Sequence, residues 1–262
     1  MYTVRKAIEN DFEGTLRKIA DMGFVGVEYY PLPEKITPDR AGKVFKDLGL
    51  QVLGMHTPLP IGDDREMAVR WAAAFGCDRV IYPGWPKGVK STDPDVTERG
   101  MEIFKTAEAA KRTADRYNQI AAFLKTKGLR FGLHNHWWEF EKTNGMVPFY
   151  YLLEHLDKGV FFEIDAYWAK TGGQNPAKAV ADFGKRVQLL HIKDGPAIKG
   201  NTMYAHVPAG DGTLDFPAIA KAGGKNIEWM IVEFDEYGKD IFDGMRKSYA
   251  YLTKNGLAEG RI

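Results

Sequence analysis

The sequence predicts an α/β fold, a (β/α)8 barrel forming one domain over residues 1–262, and two observations carry that expectation. Short runs rich in β-branched and aromatic residues alternate with longer amphipathic segments along the whole chain. The runs number eight. Eight strand–helix units in about 250 residues are the count and length of such a barrel, with an open doubly wound sheet as the next choice.

The runs, in order, are 2–5, 24–29, 51–56, 79–83, 130–136, 160–165, 187–193 and 229–234. Between and after them, helical patterning covers segments near 12–22, 39–48, 64–75, 96–127, 147–156, 176–185, 216–223 and 240–254. Gly23, Gly49, Gly76 and Gly128 stand where helix C-termini are expected. The Pro- and Gly-rich stretches 83–88 and 195–212 read as loops after strands, where barrels carry functional insertions, and nothing reads as a linker.

Thirty-six Lys and Arg against 35 Asp and Glu leave a net charge of +1, with no basic tract, which argues against a nucleic-acid or membrane-surface partner. The one cysteine, Cys77, forms no internal disulfide and reads as a small buried residue, so any metal must be held by His, Asp and Glu. No run approaches the roughly 18 apolar residues of a membrane span, and the expectation is a soluble, cytoplasmic protein. A first run beginning at Tyr2 is compatible with a natural start or a trimmed leader, and the sequence leaves a homo-oligomer open.

The functional signal is positional. A barrel's active site lies at the C-terminal ends of its strands, and a strand inside a packed core carries ionisable groups only with cause. Arg5, Glu28, His56, His134 with His136, Glu163 with Asp165, His191 with Lys193 and Asp194, and Glu233 with Asp235 close seven of the eight runs. Period two puts His134 and His136 on one face, as it does Glu163 and Asp165, His191 and Lys193, and Glu233 and Asp235. Imidazoles and carboxylates gathered at one rim suit one divalent cation, Mn²⁺ first, with Mg²⁺, Co²⁺, Zn²⁺ or Fe²⁺ also compatible.

The pieces YTVR (2–5), KIADMGFVGVE (18–28), LGLQVLGMH (48–56), GLHNHWWEF (132–140), FEIDAYWAKTGGQNP (162–176), LLHIKD (189–194), PAGDGTLDF (208–216) and IVEFD (231–235) together resemble the xylose isomerase-like barrel superfamily of sugar phosphate isomerases and epimerases. The resemblance implies a metal held by Asp165, His191 and Glu233. The first ligand of the family pattern falls on His134, so either His134 takes that place or Glu139, just beyond the strand, reaches the metal; the reading favours Glu139 as ligand or base, with His134 and His136 beside it. Trp168 replaces a family histidine and reads as a sugar-stacking wall or as packing. Trp85, Trp137 and Trp138 also fall at or after strand ends.

The implied chemistry is proton removal next to the carbonyl of a keto-sugar, with a metal-chelated enediolate. His134, His136, Glu139, Lys193 and Glu233 are the candidate catalytic groups, and Glu28, His56 and Trp168 the candidate substrate contacts. Return of the proton gives isomerisation or epimerisation. Loss of a β-substituent makes the protein a lyase acting on a 3-keto-glycoside or an inosose. Glu28 is alternatively paired with Arg5, Lys193 with Asp194 or Glu163, and His206 reads as a solvated loop residue. A metal-dependent endonuclease and a non-catalytic sugar-binding barrel are the competing readings, the first opposed by the charge balance and the second by the retained Asp165, His191 and Glu233.

Overall fold

The computed structural model describes residues 1–84 and 104–261. Seven parallel strands, β1 (Gly26–Tyr29), β2 (Gln51–His56), β3 (Arg79–Tyr82), β4 (Arg130–His134), β5 (Phe161–Asp165), β6 (Val187–Ile192) and β7 (Trp229–Val232), pair in chain order into a nearly closed barrel. Helices α1 (Arg5–Asn10), α2 (Phe12–Asp21), α3 (Pro38–Asp47), α4 (Asp64–Phe75), α5 (Ala107–Thr126), α6 (Pro148–His155), α7 (Ala166–Thr171), α8 (Pro176–Phe183), α9 (Phe216–Gly223) and α10 (Ile241–Lys254) lie around them, with short 3-10 turns at Tyr2–Val4, Gly184–Arg186 and Gly224–Asn226. This is a (β/α)8 architecture in which seven of the eight anticipated runs are strands. The amino-terminal part of the segment near 96–127 and Trp85 lie outside the described residues.

The exception is the first run. Residues Tyr2–Val4 form a 3-10 turn that leads into α1. Residues 1–5 cross the rim from β1 to β7 instead of running beside them. The Met1 ammonium donates to the Glu28 carbonyl (2.8 Å), the Phe234 amide donates to Thr3 Oγ1 (3.1 Å), and the Arg5 guanidinium donates to the Asp235 carbonyl (2.8 Å). Those tertiary contacts override the β-propensity of YTVR. They also leave Arg5 away from Glu28. Below this crossing, a cavity of about 650 Å³ separates β1 from β7, lined by Val25, Val27, Leu53, Trp229, Ile231 and Met245 among others.

The helices start where side chains can take up the free amides of a first turn. Thr37, Thr106, Asn175, Asp215 and Asp240 each accept an amide hydrogen bond at the head of α3, α5, α8, α9 and α10. Proline follows directly at Pro38 and Pro176, where a missing N–H costs nothing. Gly76 ends α4 in the left-handed conformation (φ 62°), as the glycine pattern anticipates. Cys77 is buried, and burial pushes its thiol up to about 11, consistent with an inert packing role.

Inside the barrel, Leu53, Ile81, Phe161 and Leu189 form a separate apolar layer, with Trp229 and Ile231 packed against it. Two residues further along their strands, Phe161, Leu189 and Ile231 give way to Glu163, His191 and Glu233. The core therefore turns from hydrocarbon to ionisable groups within one strand repeat. Gly132 makes room for the widest member of the layer, because a Cβ there would overlap the Phe161 ring. Gly132→Ala is expected to destabilise the fold by about 1–3 kcal/mol in urea unfolding, the usual cost of overpacking. Phe161→Leu in the same chain should recover part of that loss, whereas strictly additive losses would show that the two sites do not meet.

Candidate active site

The ionisable residues occupy two levels. On the lower one, the Glu163 carboxylate meets three imidazoles: His56 Nε2 at 2.7 Å, His134 Nδ1 at 3.1 Å and His191 Nε2 at 3.3 Å, all through Oε2. Glu28 Oε2 lies 2.9 Å from His191 Nε2 and 3.3 Å from His56 Nε2. The register shifts between β1 and β2 at Val27/Glu28 and between β5 and β6 at Phe162/Glu163, with Leu53 of β2 and Gln188 of β6 as the extra residues. Glu28 follows Gly26, and Glu163 follows Phe161, at period two on the inner face of the barrel.

On the upper level, the Lys193 ammonium sits 2.6 Å from Asp235 Oδ2, 3.1 Å from Asp165 Oδ2 and 3.5 Å from Glu233 Oε1. His191 joins the levels. Its Nδ1 contacts Glu233 Oε2 and lies 3.9 Å from Asp165 Oδ2. Asp165 has a second duty, because its Oδ1 accepts the Trp168 amide (2.9 Å) and so caps α7. Asn135 holds the strand end beneath it, accepting the Asp165 amide (2.9 Å) and donating to the Asp165 carbonyl (3.1 Å).

These contacts set the charges. Burial opposes protonation of His56, but Glu28 and Glu163 outweigh it and carry the ring up to about 9. For His191 the carboxylates of Glu163, Glu233 and Glu28 likewise overcome burial and hold it well above the usual imidazole value. His134 goes the other way, well below, through burial and the neighbouring rings of His191, His136 and His56. Burial and Lys193 bring His136 down to about 3. Lys193 stays charged because Asp165, Asp235 and Glu233 outweigh its burial. At neutral pH the site thus holds two neutral imidazoles beside a buried ammonium.

The expected residues are not all brought together. His191 and Glu233 come together with Glu28 as closely spaced ligand atoms, and Asp165 lies beside them, 3.9 Å from His191 Nδ1, outside that group. Glu139 is in neither group: its Oε2 accepts the His136 amide (2.8 Å), and its Oε1 lies against Gly84. The chain turns back after β4, so the carboxylate closes that turn instead of reaching across the mouth. His134, the other candidate for the first ligand, does lie beside His191, with ring centroids 4.6 Å apart.

Other roles shift as well. Glu28 and His56 are buried beneath the rim in contact with imidazoles and carboxylates. Trp168 is 1% exposed and packs on Lys193, Tyr167, Tyr204 and His206, which is the packing alternative and not a sugar wall. The half-buried aromatic at the site is Trp138, stacked on His136 at 4.3 Å with 7° between planes. Lys193 pairs with neither Asp194 nor Glu163. Asp194 instead accepts the amides of Gly195, Gly210, Gly212, Thr213 and Leu214, and so folds the loop after β6.

That loop carries the residue sequence reasoning missed. His206 is 4% exposed rather than solvated; its Nδ1 accepts the Asp235 amide (3.1 Å), and Nε2 lies 3.7 Å from Asp235 Oδ2. Only the distant Asp194, through its hold on the loop, could have signalled it.

The donor set fits a divalent ion. His56, His134, Glu163 and His191 offer ligand atoms within 4.8 Å of one another, and so do Glu28, His191 and Glu233. Glu28 Oε1 and Glu163 Oε1 are buried with no hydrogen-bond partner among the described residues, the condition a cation relieves.

Fold and site together define an enzyme whose working groups are carboxylates, imidazoles and an ammonium at the mouth of a parallel barrel. The family model "Xylose isomerase-like TIM barrel" matches residues 16–254, and the chain belongs to that family. It is 25% identical to the inosose dehydratase of Serratia proteamaculans and 22% identical to that of Yersinia enterocolitica, in each case over 87% of this chain and 84% of the relative. A solved sugar phosphate isomerase/epimerase from Parabacteroides distasonis superposes with a TM-score of 0.76 at 24% identity, covering 98% of this chain and 97% of that one. The protein is an enzyme of the isomerase, epimerase and lyase class. No helix among the described residues is long and apolar enough to cross a membrane.

Burial holds the Glu139 carboxyl up to about 8. A raised carboxyl pKa means that the folded state keeps a proton the unfolded chain has released, so stability is lost as pH rises from the unfolded value near 4.5 to about 8. Relative to Glu139→Gln, the wild type should lose up to about 1.4 kcal/mol per pH unit across that window. Urea unfolding at several pH values checks this, and parallel pH profiles for the two proteins would refute it.

Proposed function

We propose that the enzyme is a lyase that dehydrates a cyclic keto-polyol of the inosose kind, removing a proton next to the ketone and expelling the hydroxyl one carbon further on. The similarity to inosose dehydratases over most of both chains is the observation that carries this reading. The unlike pair of proton-handling groups supports it: neutral imidazoles at His134 and His136, and a buried ammonium at Lys193. An epimerase needs two groups of similar proton affinity on opposite faces. An elimination needs a base for the C–H and an acid for the departing oxygen.

In this reading His136, at the half-buried edge and stacked on Trp138, accepts the α-proton, and the C–H electron pair moves onto the ketone oxygen as an enediolate. The electrons then return, the β C–O bond breaks, and Lys193 delivers a proton so that the hydroxyl leaves as water. The product is a conjugated enone. His136 ends protonated and Lys193 neutral, and exchange with solvent resets both. Asp165, His191 and Glu233 would hold a divalent ion, with His134 beside them. When bound, that ion supplies Lewis-acid stabilisation of charge on the substrate oxygens. Lys193, held by three carboxylates, is fixed in place while its charge is kept.

The test is incubation with keto-cyclitols and 3-keto-glycosides in D₂O, followed by ultraviolet absorbance and mass spectrometry. Dehydration with an enone chromophore is expected, and Lys193→Met should lower its kcat by about 10²- to 10⁴-fold. Deuterium exchange with inversion and no water loss would instead make the enzyme an epimerase. Neither exchange nor elimination with any of these ketones would overturn the reading.

A further inference from the structure

Two ring nitrogens of His191 face two different sets of carboxylates, and that division has a consequence for metal binding. Nε2 points down the barrel, 2.9 Å from Glu28 Oε2 and 3.3 Å from Glu163 Oε2. Nδ1 points up, in contact with Glu233 and 3.9 Å from Asp165. The ring is completely buried and stacks parallel to His56 at 5.7 Å, with 12° between planes, so it has little freedom to turn over. Glu28 in turn is fixed from its other side by His56, which also contacts Glu163.

We propose that Glu28 is a positioning residue for the metal centre: its carboxylate accepts the Nε2–H of His191 and leaves Nδ1 as the nitrogen offered to a divalent cation between Asp165 and Glu233. The inference rests on the metal reading given above for those residues. A ligating imidazole that donates its far N–H to a carboxylate is held in one tautomer and made more basic, which strengthens the bond on the other nitrogen. Glu28 stands two residues after Gly26 in β1, so period two turns this carboxylate to the same inner face. Glu163 is the competitor for the same N–H, at the longer distance and already engaged by His56 and His134.

The same cluster offers an alternative placement for the ion. If an ion sat among His56, His134, Glu163 and His191, with Nε2 as the ligand, Glu28 would have to release that nitrogen. The two placements therefore predict opposite nitrogens on the metal.

The experiment uses the full chain with ¹⁵N-labelled histidine, as wild type, Glu28→Gln and Glu28→Leu. Calorimetric titration with Mn²⁺ should show the dissociation constant rising about 10- to 100-fold in Glu28→Leu. Glu28→Gln keeps an oxygen acceptor and should lose less. Long-range ¹⁵N spectra of the wild type should show Zn²⁺ shifting the Nδ1 resonance of His191 while Nε2 keeps its proton. That measurement needs no variant, so it decides the matter even where Glu28→Leu fails to fold. Zn²⁺ on Nε2, or a folded Glu28→Leu protein binding Mn²⁺ within twofold of the wild type, overturns the proposal. Should the wild type bind neither ion, the metal reading fails, and the proposed role of Glu28 fails with it.

Discussion

Everything at the mouth of this barrel follows from the cost of placing carboxylates where water cannot reach them. Glu163 and Asp165 are fully buried, and Glu28, Glu233 and Asp235 lie close by. Each unpaired anion in such surroundings costs several kcal/mol, so the charges must be met locally. His56 and His191 answer the lower carboxylates by holding protons they would release in water, and Lys193 answers the upper ones. This gives the apolar layer of Leu53, Ile81, Phe161 and Leu189 a further role. It closes the barrel beneath the charges and keeps the local dielectric low, which makes every one of those pairings strong.

How far the sequence disclosed this depends on the kind of signal. Strand positions were legible wherever alternation and β-branching agreed with the final packing, from β1 through β7, and the glycines marked helix ends correctly. YTVR failed because its conformation is decided by Met1, Thr3 and Arg5 reaching Glu28, Phe234 and Asp235, residues remote in the chain. The pairing of Glu163 with Asp165 and of His191 with Lys193 on shared faces was readable from period two. Which imidazoles Glu28 meets was not, since His56 and His191 reach it from strands remote in the chain. Glu139 misled for a related reason: three residues beyond His136 it is placed by a turn, and a turn's direction is not written in spacing.

The loop after β6 illustrates a different limit. Its Gly, Pro and Thr content announces turns, yet which way it folds is determined by Asp194, whose two oxygens gather five amides from Gly195 to Leu214. That one buried side chain converts a loop into a wall, and the wall carries His206 to Asp235. Asp235 then has Lys193 on one side and the loop on the other. The ammonium is thereby held from strands on two sides and from a loop that depends on Asp194, two residues beyond β6.

The charges below the rim also determine what chemistry remains above it. Burial, with His191 and His56 beside both rings and Lys193 beside His136, keeps His134 and His136 neutral. The carboxylate layer thus creates its own bases indirectly, by fixing protons on some imidazoles and thereby denying them to others. An imidazole that is neutral because its neighbours are charged gains a proton more readily once one of those neighbours gives one up. Lys193 is one of the causes that hold His136 down, so once His136 has taken the α-proton the two positive charges repel and the ammonium becomes a readier donor to the leaving hydroxyl. Acid and base are therefore coupled through the field they share, and the coupling favours a reaction that uses both in the same turnover.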